Sequence, residues 1–132
     1  MAEYTSTKEG FQRAMKGALT SDMGDSKAFA EATVVQSFYH VMNGQKLEYE
    51  AYVKSLDEWR GKISHYEPVV NEFLRDGDQL AARMTGTIKV DGSETFFESF
   101  MFGKVDGDGK IEYLIERSVW GPIGGEPVEG VH

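Results

Sequence analysis

The chain has 132 residues, no cysteine and a formal net charge of −8 at pH 7. This length suits one domain with its own apolar core, and the lack of cysteine excludes disulfides, thiolate metal sites and a cysteine nucleophile. The negative charge argues against nucleic acid and anionic membranes as partners, and no apolar run reaches the roughly 18 residues of a membrane span. Residues 1–4 lack the basic and apolar segments of a secretory signal, so we expect a cytoplasmic protein.

The N-terminal half predicts three helices and a strand. A Ser-Thr pair begins a helix that ends near residue 19, and an Asp-Ser pair begins a short helix that ends near residue 32. The β-branched and aromatic residues between 33 and 42 then predict a strand that ends at an Asn-Gly turn. Apolar residues on one face of residues 47–60 predict the third helix.

Three Asp-Gly pairs divide the second half into an antiparallel meander, because Asp-Gly accepts the positive φ of tight hairpin turns at little cost. The pairs are Asp76-Gly77, Asp91-Gly92 and Asp106-Gly107. The predicted strands span about 64–74, 79–90, 95–105 and 110–120. Helices followed by such strands predict an α+β fold, a cone in which a strongly curved, mostly antiparallel sheet wraps around three N-terminal helices. The domain spans residues 1–120, and the Gly- and Pro-rich residues 121–132 form an extended tail.

Three segments resemble the nuclear transport factor 2-like superfamily, and within it the SnoaL-like domain. They are the Asn-Gly turn before the third helix (43–49), the strand with an arginine and a Gly-Thr pair (76–87), and the Gly-Lys-Ile that begins the last strand (108–112). The resemblance covers about residues 8–120 and extends to small polyketide cyclases and fungal isomerases. It implies an internal pocket in which acid–base side chains work without a metal or organic cofactor. The superfamily also contains members that only bind or dimerise, so the fold does not decide the function.

The last hairpin predicts which side chains line that pocket. If Val105 lies opposite Ile111 and the pairing continues unbroken, one face is mostly apolar and the other combines aromatic rings with carboxylates. Apolar walls with a few polar groups are typical of a ligand pocket. The predicted pocket face consists of Phe96, Glu98, Phe100, Phe102, Leu114, Glu116, Ser118 and Trp120. Trp59, at the end of the third helix, either closes the mouth of the cone or simply packs against the sheet.

The opposite, more apolar face predicts a homodimer. It carries Phe97, Met101, Tyr113 and Ile115, and the chain supplies no third layer to cover them if the helices fill the other face. Large exposed apolar patches mark interfaces, and two-fold dimers are the commonest way to cover them.

Glu116 and His40 are the candidate acid–base residues. The resemblance implies an acidic residue at the position of Glu116, where epoxide hydrolase-like relatives carry one that works as acid or base. His40 lies near the mouth end of the first strand, and histidine is the side chain that titrates nearest to neutral pH. The alternative interpretations are a solvent-exposed or ion-paired glutamate and a histidine with a structural role.

Arg83 is the third candidate catalytic residue. It lies in the middle of an apolar strand and needs an acidic partner, for which Glu98 and Glu116 are candidates. As a site residue it would orient the substrate or stabilise an oxyanion, and as a structural residue it would form an ion pair between strands or subunits. Epoxide hydrolase-like relatives carry an aspartate two residues after this arginine. Thr85 occupies that position here, which argues against their mechanism.

These residues predict a cofactor-free enzyme of the isomerase or lyase type, a cyclase or dehydratase. Its substrate would be a hydrophobic small metabolite such as a polyketide or terpenoid of secondary-metabolite biosynthesis. The alternative is a non-catalytic ligand-binding or dimerisation domain of the same fold. No metal is expected, because the three histidines lack zinc-ligand spacing and the loop that begins at Asp106 lacks the ligands of a calcium site.

Overall fold

The structure is a computed structural model that describes residues 3–122. The elements in chain order are α1 (Lys8–Ala18), α2 (Ser26–Thr33), β1 (Val34–Met42), β2 (Gln45–Glu48), α3 (Tyr49–Arg60), β3 (Ile63–Asp76), β4 (Gln79–Val90), β5 (Ser93–Val105) and β6 (Ile111–Pro122). The strands form one sheet in the order β2-β1-β6-β5-β4-β3, in which β1 runs parallel to β6 and the other neighbours are antiparallel. The predicted α+β fold, with a curved sheet around three helices, is confirmed.

The first two helices begin at side-chain caps. The hydroxyl of Thr7 accepts a hydrogen bond from the backbone N–H of Gly10 at 3.0 Å. A carboxylate oxygen of Asp25 accepts one from the N–H of Ala28 at 2.8 Å. Each cap satisfies one of the donors that a helix leaves unpaired at its start, so both helices begin where the sequence predicts.

The apolar core lies between the helices and the inner face of the sheet. Phe11 of α1, Phe29 of α2 and Phe38 of β1 are each at most 1% exposed, and they belong to one cluster with Ile88 and Met101 of the sheet. Burial of side chains of this size contributes roughly 1.5–3 kcal/mol each to folding. This packing fixes the helices over the sheet and leaves a space between α3 and β6.

The Asn-Gly turn leads into a strand that the sequence did not predict. Asn43 and Gly44 have φ values of 50° and 88°, and they turn β1 directly into β2, which pairs antiparallel with β1. The third helix therefore begins at Tyr49 rather than near residue 47. Strand β2 has four residues, of which three are exposed, so it lacks the apolar alternation by which a strand is recognised.

A β-bulge in the last hairpin changes the predicted faces of the sheet. Val105 pairs with Ile111 as predicted, but Lys104 pairs with Tyr113, so Glu112 is an extra residue in β6. Side chains alternate between faces along a strand, and one extra residue moves each later side chain to the other face.

Because of this bulge, the predicted grouping of β5 residues with Glu116 is wrong. Glu116 pairs with Met101, and Trp120 pairs with Phe97, so these four side chains share the inner face. The β5 residues that alternate with them project from the outer face instead. They are Phe96, Glu98, Phe100 and Phe102.

The described part of the chain extends slightly past the predicted domain end. Strand β6 continues to Pro122, two residues beyond residue 120. The rest of the predicted tail, 123–132, lies outside the described residues. None of the helices within residues 3–122 has the length and apolar character needed to cross a membrane.

Candidate active site

A cavity of about 420 Å³ opens between α1, α3 and the inner face of the sheet. Its volume falls within the roughly 300–1,000 Å³ of typical small-molecule sites. Most of its wall is apolar. The residues that line it include Met15, Leu19, His40, Tyr52, Leu56, Trp59, Tyr66, Met84, Ile88, Phe97, Ser99, Leu114, Glu116, Ser118 and Trp120. Of the predicted site residues, His40, Trp59, Leu114, Glu116 and Trp120 are therefore brought together.

His40 and Glu116 form a hydrogen-bonded pair in the cavity wall. His40 Nε2 lies 2.9 Å from Glu116 Oε1, and the two side chains are 12% and 9% exposed. Their strands run parallel and adjacent, with Met42 paired with Glu116 and His40 paired with Leu114. An ionised carboxylate with so little access to water needs donors close by, and His40 supplies one. The catalytic roles of the two residues stay a prediction.

Two serines extend this pair into a chain of hydrogen bonds. The hydroxyl of Ser118 donates to Glu116 Oε2 at 3.2 Å, and it also forms a hydrogen bond with the hydroxyl of Ser99. Since Ser118 has a single hydroxyl proton, which goes to Glu116, Ser99 is the donor in the second bond. Both carboxylate oxygens of Glu116 therefore have a protein partner, and each keeps a lone pair for a substrate.

Two tyrosine hydroxyls offer further donors to the cavity. Tyr52 of α3 and Tyr66 of β3 line it, and their hydroxyls make no hydrogen bond with other side chains among residues 3–122. Burial, and then the negative charge of Glu116, raise the pKa of both hydroxyls above the usual value of about 10. For Tyr52 the charge of Arg60 opposes this shift in part. Both hydroxyls are thus protonated at neutral pH and act as donors.

A row of aromatic rings forms one wall of the cavity. The ring centroids of Trp59 and Trp120 are 6.2 Å apart, those of Trp120 and Phe97 are 6.0 Å apart, and those of Phe97 and Tyr66 are 5.9 Å apart. Both tryptophans are 39% exposed, whereas Phe97 and Tyr66 are buried. The row therefore leads from the open mouth of the cavity to its interior.

Solved structures superpose on this chain at low sequence identity. A nuclear transport factor 2-like protein of unknown function from Exiguobacterium sp. 255-15 is 20% identical, with a TM-score of 0.64 over 79% of this chain and 93% of that chain. The chain has the nuclear transport factor 2-like fold. No model of a protein family matches its sequence, and no curated protein matches it.

Two further solved structures superpose on this chain equally well. One is a hypothetical protein with a ketosteroid isomerase-like fold from Catenulispora acidiphila DSM 44928, solved in complex with trimethylamine, with 11% identity, a TM-score of 0.64 and coverage of 78% of this chain and 82% of that chain. The other is an LEH-like epoxide hydrolase from M. tuberculosis, with 16% identity, a TM-score of 0.64 and coverage of 81% and 80%. At these identities the likeness defines the fold and leaves the activity open.

Within this fold, Arg83 and Glu98 lie outside the cavity. Arg83 donates to Glu72 Oε1 at 2.7 Å and to Glu98 Oε2 at 2.8 Å. These hydrogen bonds, first that with Glu72 and then that with Glu98, raise the pKa of Arg83 above its usual value. Of the two predicted partners of Arg83, Glu98 is confirmed and Glu116 is wrong, because Arg83 and Glu116 project from opposite faces of the sheet. Arg83 instead forms an ion pair between strands, the alternative that the sequence left open.

The outer face of the sheet carries an exposed apolar row. Its members are cross-strand neighbours on β3, β4, β5 and β6, and Phe102 is 67% exposed. The row consists of Leu74, Ala81, Phe102 and Ile115. Phe97 and Met101, which the sequence placed on this exposed face, are buried on the inner face because the bulge changes the pairing.

Sequence reasoning missed three of the polar groups in the cavity. Tyr52 lies on the apolar face from which the sequence predicts α3, and Tyr66 lies in a strand without a predicted site residue. Ser99 alternates with Glu98 and Phe100, so an unbroken register would turn it to the face opposite Glu116. A buried tyrosine usually has a hydrogen-bond partner, so a tyrosine within an apolar stripe was a signal for a site. No group of three or more His, Asp or Glu side chains among residues 3–122 is arranged to hold a metal ion.

Proposed function

We propose that the protein is a cofactor-free acid–base enzyme of the isomerase or lyase type that moves a proton within a hydrophobic carbonyl compound. The observation that supports this proposal is the pair of His40 and Glu116, 2.9 Å apart, in the wall of a cavity of about 420 Å³. A binding module would be expected to neutralise its carboxylate with arginine and to fill the cone. Here Arg83 pairs with Glu98 and Glu72 on the outer face, and the described residues give Glu116 no arginine partner.

In this proposal Glu116 is the general base. A free lone pair of its carboxylate takes a proton from a carbon next to the substrate carbonyl, and the electron pair of the C–H bond moves toward the carbonyl oxygen as the enolate forms. Tyr52 and Tyr66 donate hydrogen bonds to that oxygen as it gains charge. Glu116 then returns this proton to another carbon as the carbonyl re-forms, which is an isomerisation. In a dehydration it gives the proton instead to a hydroxyl group on the carbon next to the deprotonated one, whose C–O bond breaks, so that water leaves and a C=C bond forms. In both reactions His40 Nε2 holds the carboxylate in place through Oε1.

The charges of the cavity define the class of substrate in this proposal. Among the described residues that line the cavity, Glu116 is the only carboxylate and none is a lysine or an arginine. A carboxylate or phosphate group on a substrate would therefore meet Glu116 without a cation to compensate for it. The aromatic row from Trp59 to Tyr66 favours flat, uncharged rings, as in a polycyclic or terpenoid metabolite.

A second proposal concerns assembly. We infer that the exposed apolar row on the outer face, with Phe102 at its centre, is the interface of a homodimer. A dimer through this face leaves the cavity open on the other side of the sheet, so it is compatible with catalysis as well as with the alternative of a non-catalytic dimerisation domain.

Proton exchange into heavy water tests the enzymatic proposal without knowledge of the product. A panel of hydrophobic ketones is incubated with the protein in D₂O, and NMR follows loss of the hydrogens next to the carbonyl. We expect catalysed exchange with at least one member, and a rate lower by about 10²–10⁴-fold in Glu116→Gln, which keeps the shape of the side chain but not the base. Equal rates in Glu116→Gln and the wild type would contradict the role of Glu116. If no ketone exchanges but ligands still quench the two tryptophans at the cavity mouth, the binding module is favoured.

A further inference from the structure

Asn43 continues the parallel pairing of β1 and β6 beyond the end of β1. Its backbone N–H donates to the carbonyl of Glu116 at 2.9 Å. Its side-chain oxygen accepts from the N–H of Ser118 at 2.8 Å, and its side-chain nitrogen donates to the carbonyl of Ser118 at 3.2 Å. A primary amide holds an acceptor oxygen and a donor NH2 group in one plane, so it can pair with a backbone N–H and C=O as a peptide group does. The side chain therefore replaces the next residue of β1, which turns away into β2.

This clamp holds the part of β6 that carries the site. Glu116 and Ser118 are the two β6 residues that Asn43 binds through their backbones, and the hydroxyl of Ser118 donates to Glu116 Oε2. His40 lies three residues before Asn43, within β1, and binds Glu116 Oε1. The short segment 40–43 thus positions Glu116 in three ways. It binds the Glu116 backbone, it holds Ser118, whose hydroxyl donates to Oε2, and it supplies His40, which binds Oε1.

The turn restricts which residues can form this clamp. Asn43 has a φ of 50°, in the left-handed region that glycine, asparagine and aspartate tolerate best. Glycine would keep the turn but lose the amide, and aspartate would keep the acceptor but lose the donor. Of these three residues, asparagine alone provides the conformation together with both hydrogen-bonding groups.

We propose that Asn43 is a positioning residue that fixes the orientation of the Glu116 carboxylate through Ser118. The importance of this role for catalysis rests on the proposed function. The test of the role does not, because it measures hydrogen bonds rather than turnover. Asn43 itself is exposed at the rim of the cavity and touches no reacting group in this scheme.

The test compares Asn43→Gly with Asp91→Gly in the full chain. Asp91 is a matched control, because it has a φ of 49° in the β4–β5 hairpin turn and lies away from Glu116. In Asn43→Gly we expect the Ser118 amide to exchange with solvent about tenfold faster or more, since one hydrogen bond of about 1.4 kcal/mol corresponds to that factor. If the Glu116 carboxylate is no longer held in place, its hydrogen bond fixes the tautomer of the His40 ring less firmly. We therefore also expect the ¹⁵N chemical shifts of the two ring nitrogens to move toward each other, as in an imidazole that exchanges between its two tautomers. Asp91→Gly should change neither.

Two results would overturn the inference. Unchanged exchange of the Ser118 amide means that the clamp does not exist in solution. Faster exchange with an unchanged His40 ring spectrum means that Asn43 stabilises the turn but does not position Glu116. If Asn43→Gly does not fold, Asn43→Asp takes its place. It keeps the acceptor for the Ser118 N–H and loses only the donor to the Ser118 carbonyl, so the His40 ring spectrum alone is the readout, and a wild-type spectrum there would equally reject the proposal. Failure of the ketone exchange assay alone would leave these measurements unaffected.

Discussion

His40 and Glu116 are 76 positions apart in the chain, yet Nε2 and Oε1 lie 2.9 Å apart. The contact exists because β1, the first strand, lies parallel to β6, the last, in the middle of the sheet. The two candidate acid–base residues are therefore held by the one parallel pairing in the described sheet. The chain between the two strands contains α3 and strands β3 to β5, so the geometry of the site depends on the complete fold.

Removal of His40 should cost stability as well as activity. His40→Ala leaves a buried carboxylate with one donor fewer, and we expect the free energy of unfolding to fall by about 1–3 kcal/mol in urea denaturation at pH 7. Glu116→Gln should cost less, because the amide oxygen still accepts from His40. The control is a double-mutant cycle of His40→Ala with Glu116→Ala, which removes the acceptor: if the two residues interact, the loss in the double variant is smaller than the sum of the single losses. Strict additivity would argue against the pair.

The tyrosine hydroxyls should affect the transition state more than the binding of substrate. Tyr52→Phe and Tyr66→Phe keep the rings but remove the donors to the developing oxyanion. For a ketone found by the exchange assay, we expect kcat to fall by about 10–10³-fold while KM changes little. Steady-state kinetics with that ketone checks this. A higher KM with unchanged kcat would show that the hydroxyls contribute only to ground-state binding.

Stability should fall at alkaline pH because of the same two hydroxyls. Their pKa values are raised in the folded protein above the unfolded value of about 10. The folded state therefore keeps protons that the unfolded state releases, so this stabilisation is complete below pH 10 and is lost as the pH rises further. Each tyrosine contributes a slope of up to about 1.4 kcal/mol per pH unit. Urea denaturation at pH 9 and pH 11 should show a smaller loss in Tyr52→Phe and Tyr66→Phe, and an equal loss would contradict the assignment.

The exposed row on the outer face should control self-association. Phe102→Lys places a charge in the middle of the row, and we expect a dimer of the wild type to become a monomer at micromolar concentration in sedimentation equilibrium. Ala32→Lys, which adds the same charge on the exposed face of α2, is the matched control and should leave the dimer intact. A monomeric wild type at this concentration would contradict the proposed interface.

The sequence predicted the elements well and the faces of the sheet less well. Helix caps and Asp-Gly turns are local signals, so the two caps and the four long strands follow from them. Glu112 has no such signal, since a bulge depends on how two strands twist against each other. That one residue puts Glu98 and Arg83 on the face opposite Glu116 and brings Ser99 into the site. Strand β2 was missed because its edge position leaves no apolar pattern.

The bulge at Glu112 also means that the length of the last hairpin, as well as its chemistry, determines whether the chain has a site. Ile111 and Leu114 are three positions apart, so in a regular strand their side chains would lie on opposite faces. Both face inward because the bulge adds one residue between them. Deletion of Glu112 would change no side chain of the cavity, yet regular pairing would then turn either Ile111 or the segment with Glu116 outward. A length polymorphism of one residue in this hairpin would therefore be enough to separate a form of this architecture that has the cavity site from a form that only folds.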